Sequence, residues 1–253
     1  MSAKLNVIFT PAEIRELAGR DLSDTTCVVF DILRATSSIV TALANGAEKI
    51  IPVQEISEAV AIKRQRPDVL LGGERGGVRI RASASGGVDF DFGNSPREFT
   101  REKVQGKTIV ITTTNGTRAL LAASQSKLAL VSSFMNLKAT ADFISKTGAA
   151  SVLLICSGTY GGAALEDSLA AGAFCDLLWN HFRADEMGDS AEMARRIFLE
   201  AKPDLAGVLR GSWNARRLSA IPELRDDVAF CLQRDVFNLV AVLEKDGAVR
   251  KWK

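Results

Sequence analysis

The sequence predicts an α/β protein, a three-layer α/β/α sandwich around a central sheet that is mostly parallel or mixed. Two observations carry this. Short apolar strands alternate with helical segments along most of the chain, the pattern of βαβ units. Three of those strands also run straight into polar clusters that open helices. These are Val28-Val29-Phe30 into Asp31-Ile32-Leu33-Arg34-Ala35-Thr36, Ile109-Val110-Ile111 into Thr112-Thr113-Thr114-Asn115-Gly116-Thr117, and Val152–Ile155 into Cys156-Ser157-Gly158-Thr159-Tyr160-Gly161-Gly162. With 253 residues, 47% hydrophobic and 25% charged, the chain can bury a full core. It reads as one catalytic-size unit over 1–253, with sub-lobes at 1–106 and 107–253.

The elements follow in order. Val7-Ile8-Phe9 is a strand, and Thr10, Pro11 and Glu13 then open a helix with a capping box and a first-turn proline. Cys27–Asp31 is the second strand. A helix from Thr36 to Ala44 stops at Asn45-Gly46, a left-handed C-cap pair. Lys49–Val53 is a strand, Ser57–Arg66 a helix ended by Pro67, and Val69–Leu71 a short buried strand. The glycine-dense segment from Gly72 to Pro96 reads as a long functional loop, after which Ser95-Pro96 starts a helix. Strands at Thr108–Thr112, Leu128–Val131 and Ser151–Ile155 alternate with helices at Gly116–Ala123, Leu137–Lys146 and Ala163–Phe182. Asp189–Ala201 and Asp204–Arg210 read as helices of a smaller C-terminal lobe or lid. A helix near Glu223–Leu232 and a hairpin of Leu239–Glu244 with Val249–Trp252 close the chain. Residues 28–59 and 109–139 echo one another as strand, polar turn, helix, strand, helix; an internal βα duplication and convergent patterning account for this equally well.

Composition excludes several functions. A formal net charge of +2 gives no polycationic surface for nucleic acid. The spacing of Cys27, Cys156, Cys175 and Cys231 fits neither a zinc knuckle nor a disulfide framework. No leader-like apolar region opens the chain, and no uncharged apolar stretch has membrane-spanning length. A reducing, cytoplasmic setting is expected. The faces carrying Leu169, Phe174 and Leu178 suit core first and a homo-oligomer interface second.

The polar clusters carry the chemistry. Asp31 ends an apolar strand, where an unpaired carboxylate is costly; it reads as a metal or catalytic carboxylate, against a simple helix cap or an ion pair with Arg34. Arg34 can fork onto an anion, and Thr36 serves as cap and ligand contact. Glu74-Arg75 lies between glycine pairs that permit close approach of a ligand, although surface turns share that composition. Thr113 to Thr117 offers more hydroxyls and amides than a cap needs, which favours anion binding. Cys156 lacks the downstream arginine of a cysteine phosphatase, because Gly162 stands there, so it reads as a buried strand end. Glu166 and Asp167 diverge by about 100° on a helix, so one of them is expected to face the site. His181, the single histidine, leaves no His-based triad, and catalysis falls to carboxylates with a metal. There is no G-x₄-G-K-[ST] loop and no Rossmann fingerprint.

Five motifs in order, Asp31-Ile-Leu-Arg-Ala-Thr-Ser-Ser, Gly73-Glu74-Arg75-Gly76-Gly77, Phe92-Gly93-Asn94-Ser95-Pro96, Thr113-Thr114-Asn115-Gly116-Thr117 and Leu165-Glu166-Asp167, resemble the 2-phosphosulfolactate phosphatase family over about residues 25–175. The resemblance implies a Mg²⁺-dependent phosphatase of α/β/α fold, acting on a small phosphorylated and sulfonated acid in the coenzyme M pathway. It implies that Asp31, Glu74, Glu166 and Asp167 hold metal, with Asp31, Arg34, Glu74 and Asp167 catalytic. Arg34, Arg75, Asn94, Ser95, Thr114 and Asn115 would then contact phosphate or sulfonate, and the turns themselves add Thr36, Gly116, Ser157 and Gly158 as expected substrate contacts. Asp31 either attacks phosphorus or serves a metal-bound water. The D-x-D pattern of haloacid dehalogenases is broken by Leu33. The rival reading is a non-catalytic anion-binding regulator on the same scaffold.

Overall fold

A computed structural model describes residues 4–252. Met1–Ala3, part of the segment expected to carry no leader, lie outside the described residues, as does Lys253. The strands are β1 (Leu5–Ile8), β2 (Thr26–Phe30), β3 (Lys49–Pro52), β4 (Leu70–Arg75), β5 (Val78–Arg79), β6 (Thr108–Thr112), β7 (Leu128–Ser132), β8 (Val152–Cys156), β9 (Ala241–Leu243) and β10 (Val249–Lys251). They form one sheet in the order β1-β8-β2-β7-β9-β10-β3-β6-β4-β5. The block β1-β8-β2-β7 is parallel throughout, as is the block β3-β6-β4. Strands β2, β6 and β8 are buried along their whole length, which is why they read as unbroken apolar runs.

Antiparallel pairing of β7 with β9, β9 with β10 and β10 with β3 reverses polarity between the blocks. In a flat sheet their carboxyl ends would lie at opposite edges. The blocks join through one register pair, Val249 with Ile50. One face of each block then lines a shared core, where Val29 and Ile155 meet Ile50, Ile109 and Ile111. The helices Ala35–Ala44 and Gly116–Ala122 fill that core through Ile39, Val40, Ala119 and Leu120. The end of β2 lies against the turn after β6, with Gly116 beside Asp31 and Ala35.

The outer faces are covered separately. Val28, Phe30 and Leu154 pack on the helices Leu137–Thr147, Leu165–Leu178 and Asp189–Ala201, with Phe30 and Phe174 in edge contact at 5.7 Å. Each such side chain contributes roughly 1.5–3 kcal/mol on burial. Leu169, Phe174 and Leu178 are all fully buried in this layer, so that stripe is core. Val110 and Leu71 face the helix Ile56–Gln65 through Ala59 and Val60. Asp189–Ala201 is a layer helix, with Ala191, Ala194 and Phe198 in the core, and is no lid.

Three expectations change. Gly72–Arg75 belongs to β4 and is not loop: Gly76-Gly77 form a two-residue hairpin turn, both with positive φ, the geometry that joins twisted strands. The helix expected over Ala163–Phe182 runs only from Leu165 to Leu178. An unexpected helix spans Trp213–Ser219, capped by Ser212, whose hydroxyl accepts from the Ala215 N–H.

Candidate functional site

At the end of β2, Asp31 Oδ1 accepts from the Ala35 N–H at 3.0 Å, at the start of the following helix. Thr36 Oγ1 accepts from the Asp31 N–H and donates to its carbonyl, which locks the turn. The turn after β6 repeats the device: Thr117 Oγ1 accepts from the Thr113 N–H and donates to its carbonyl. The two echoed segments thus share a local solution and pack directly together. A methyl group on Gly116 would lie 2.5 Å from the Ala35 Cβ and 2.7 Å from Asp31 Oδ2. Gly116→Ala is therefore expected to displace Asp31 and lower kcat about 100-fold, with a far-ultraviolet spectrum like that of the parent; unchanged kcat in steady-state assays would refute the fit.

The other carboxylates converge from three elements. Glu74, on β4, accepts from the Thr114 N–H and hydroxyl, both at 2.8 Å, and from the Gly77 N–H at 2.7 Å. It ties the hairpin turn to the turn after β6. Asp167 accepts from the Ile32 N–H at 2.8 Å and the Gly158 N–H at 3.2 Å, joining the ends of β2 and β8. Glu166 accepts from Asn214 Nδ2 at 2.6 Å. Both Glu166 and Asp167 border the site, not one of them: they lie in the first turn of Leu165–Leu178, whose N-terminus points at the cavity, so both reach past the helix end.

All four carboxylates line one cavity of about 280 Å³. Burial first, then the charges of Glu74 and Glu166, push Asp31 up to about 6. Burial, followed by Asp31 and Glu166, pushes Asp167 well above the ordinary carboxylate range. Such a cluster attracts a cation. Among the described residues no three acidic, His or Cys side chains form a ready-made metal shell. Mg²⁺ asks for less, since it keeps several waters and takes one or two carboxylates plus substrate oxygens. Asp31 and Asp167 fit that demand: among the described residues both accept hydrogen bonds only from backbone N–H groups, which leaves lone pairs on their oxygens for a cation.

The remaining expected site residues divide. Arg34, Asn94, Thr114, Asn115 and Gly158 line the cavity. The Arg34 partner is not Asp31. Its Nη1 donates to Asp227 at 2.6 Å and its Nη2 to the Gly77 carbonyl at 2.6 Å. Ser95 is turned to the same Asp227. Arg75 points to the far side, bonding the Glu74 and Gln54 carbonyls and Thr112 Oγ1. Thr36 and Gly116 shape the walls, and Ser157 lines a neighbouring cavity. The sequence reading missed Arg15, Arg118, Asn214 and Arg217, which also line the cavity. Asn214 and Arg217 arrive on the helix Trp213–Ser219, for which Ser212 was the available signal. Asp227 gave none, lying 193 positions from Arg34. The Asn94 Oδ1, Asn214 Oδ1 and Arg217 Nε atoms are buried without a hydrogen-bond partner, as expected of groups that await a polar ligand.

Comparison with known proteins places the chain among similar sequences. The family model described as 2-phosphosulpholactate phosphatase matches residues 9–246. A probable 2-phosphosulfolactate phosphatase of Caldicellulosiruptor saccharolyticus is 38% identical over 237 residues, covering 92% of this chain and 95% of that relative. One from Thermotoga petrophila is 40% identical over 218 residues, covering 86% and 88%. A similar protein of Clostridium acetobutylicum is 33% identical over 238 residues, covering 94% and 96%.

Proposed function

Since this chain belongs to the 2-phosphosulpholactate phosphatase family, we propose that it hydrolyses the phosphate monoester of 2-phosphosulfolactate to 3-sulfolactate and phosphate, with Mg²⁺. The observation that carries the reading is the cavity itself, in which Asp31, Glu74, Glu166 and Asp167 meet in one polar recess. Asp31 and Asp167 would hold Mg²⁺, which would neutralise charge on the phosphate oxygens when bound. Asp31 Oδ2 faces the reacting group, either as the nucleophile that takes the phosphoryl group or as the acceptor that orients an attacking water. Its partner oxygen is fixed by the Ala35 N–H, so Oδ2 is presented in one direction. Thr114 and Asn115 border the phosphate end, and Arg34, anchored on Asp227, places positive charge beside it. Positioning and charge stabilisation dominate phosphoryl transfer, so no histidine is required. Cys27, Cys156, Cys175 and Cys231 are all buried and free, which supports a reducing, cytoplasmic setting.

Phosphate release from 2-phosphosulfolactate tests this reading. Release is expected to fall to background on chelation and return with Mg²⁺. Metal-independent release, or none at all, would overturn it. Acid-quench trapping of phosphate on Asp31 separates the two routes.

A further inference from the structure

We propose that a second cavity, contiguous with the carboxylate cavity, is a subsite for the second acidic group of the substrate, gripped by Arg15 and Arg118. The proposal rests on the phosphatase reading and deepens it. The second cavity measures about 540 Å³. Pro11, Arg15, Asn115 and Arg118 line both cavities, so one ligand can occupy the two together.

The two cavities have opposite character. Four carboxylates line the first, and none lines the second. A phosphomonoester that carries another strong acid has to keep that acid away from the carboxylates, and the adjoining cavity is where repulsion is absent. Cations stand at the junction. Arg15 comes from the helix Pro11–Glu16 and has no ion-pair partner among the described residues. Arg118 comes from the helix Gly116–Ala122, and its one nearby acid is Glu55 at 3.8 Å, with both side chains exposed; such a contact contributes little. Arg34 and Arg75 are committed elsewhere.

A further observation points to a ligand. Ser157 is 1% exposed, its Oγ has no hydrogen-bond partner, and it lines the second cavity. A buried hydroxyl left without a partner is costly, and a sulfonate or carboxylate oxygen would accept its O–H. Two guanidinium forks and a hydroxyl donor match the several oxygens of such a group.

The test compares the parent protein with the single variants Arg15→Gln and Arg118→Gln, the double variant, and the pair Arg15→Lys and Arg118→Lys, each checked for an unchanged melting temperature. Substrates are 2-phosphosulfolactate and glycerol 2-phosphate, which lacks the second acid. For the double variant, kcat/KM on the sulfonated ester is expected to fall about 100-fold, mainly through KM, and at least about 10-fold more than on glycerol 2-phosphate. The lysine variants recover part of the loss. Equal losses on both esters, or no loss, would overturn the proposal. Calorimetric titration with 3-sulfolactate provides a readout independent of turnover. The parent is expected to bind it at least about 10-fold more tightly than the double variant does; equal affinity, or no binding to either, overturns the subsite. Absence of hydrolysis by the parent with binding still lost in the variant would instead refute the phosphatase reading and leave the subsite standing.

Discussion

Asp31→Asn is expected to abolish turnover while raising the melting temperature of the chelated protein. The loss of activity, about 1,000-fold or more, follows whether Asp31 attacks phosphorus or orients water, because an amide does neither. The gain in stability follows from the same position. Asp31 is pushed up to about 6 from 3.8, by burial and by Glu74 and Glu166, which corresponds to at most about 3 kcal/mol. Asparagine keeps the acceptor for the Ala35 N–H and turns a donor toward the remaining carboxylates. A rise of about 5 °C is expected at neutral pH. The sign of the pH dependence is fixed by the direction of the shift. A carboxyl whose folded pKa is raised destabilises the folded state when ionised, so its cost is absent below 3.8, grows as pH rises toward 6, and is complete above that. The advantage of Asp31→Asn is therefore expected to shrink as pH falls from 7 to 4. Calorimetric scans of both proteins in chelator across that range are the check; equal melting temperatures at pH 7 would show that the carboxylate is not under strain.

Asp227→Ala is expected to be the most destabilising single change at the site, by about 3–5 kcal/mol. Asp227 is fully buried, its Oδ2 2.6 Å from Arg34 Nη1, and its Oδ1 accepts from Ser95 Oγ at 2.6 Å. Arg34 is itself only 3% exposed. Removing the carboxylate leaves a buried guanidinium facing the Gly77 carbonyl alone, beside a cavity of four acids to which it can swing. Activity is expected to fall with stability, since the hairpin turn that presents Glu74 is held by Arg34. Urea unfolding measures the first effect and steady-state kinetics the second. The double variant Arg34→Met/Asp227→Leu is expected to recover much of the stability and none of the activity, because two apolar groups remove the unpaired charge but not the need for a cation. A single variant within about 1 kcal/mol of the parent would show that Arg34 finds another partner.

The turns were legible in the sequence because each is local. A buried strand followed within five residues by a helix that opens with a threonine encodes the Asp31 and Thr113 turns whatever the rest of the chain does. Glu166 and Asp167 were legible for the same reason, as acids in the first turn of a helix. The role of Arg34 was not. Nothing near it distinguishes a free cation from one paired to Asp227, and only packing brings Asp227 within 2.6 Å. Arg75 was misplaced by strand alternation: it follows Glu74 on β4, and adjacent strand residues face opposite sides of a sheet.

By itself the sequence determined the α/β class, nearly every strand, the carboxylates that meet at the site and the order of the motifs that carry the family resemblance. Apolar runs, caps and turns act over a few residues, and that information survives in a linear text. The tertiary structure alone decided that two blocks of opposite polarity share a core, and that the turns after β2 and β6 touch. It also decided how the arginines are used, since Arg34 is anchored on residue 227 whereas Arg15 and Arg118 stand between two cavities. Pairing, burial and charge compensation are properties of surfaces brought together by folding, and sequence spacing does not encode them.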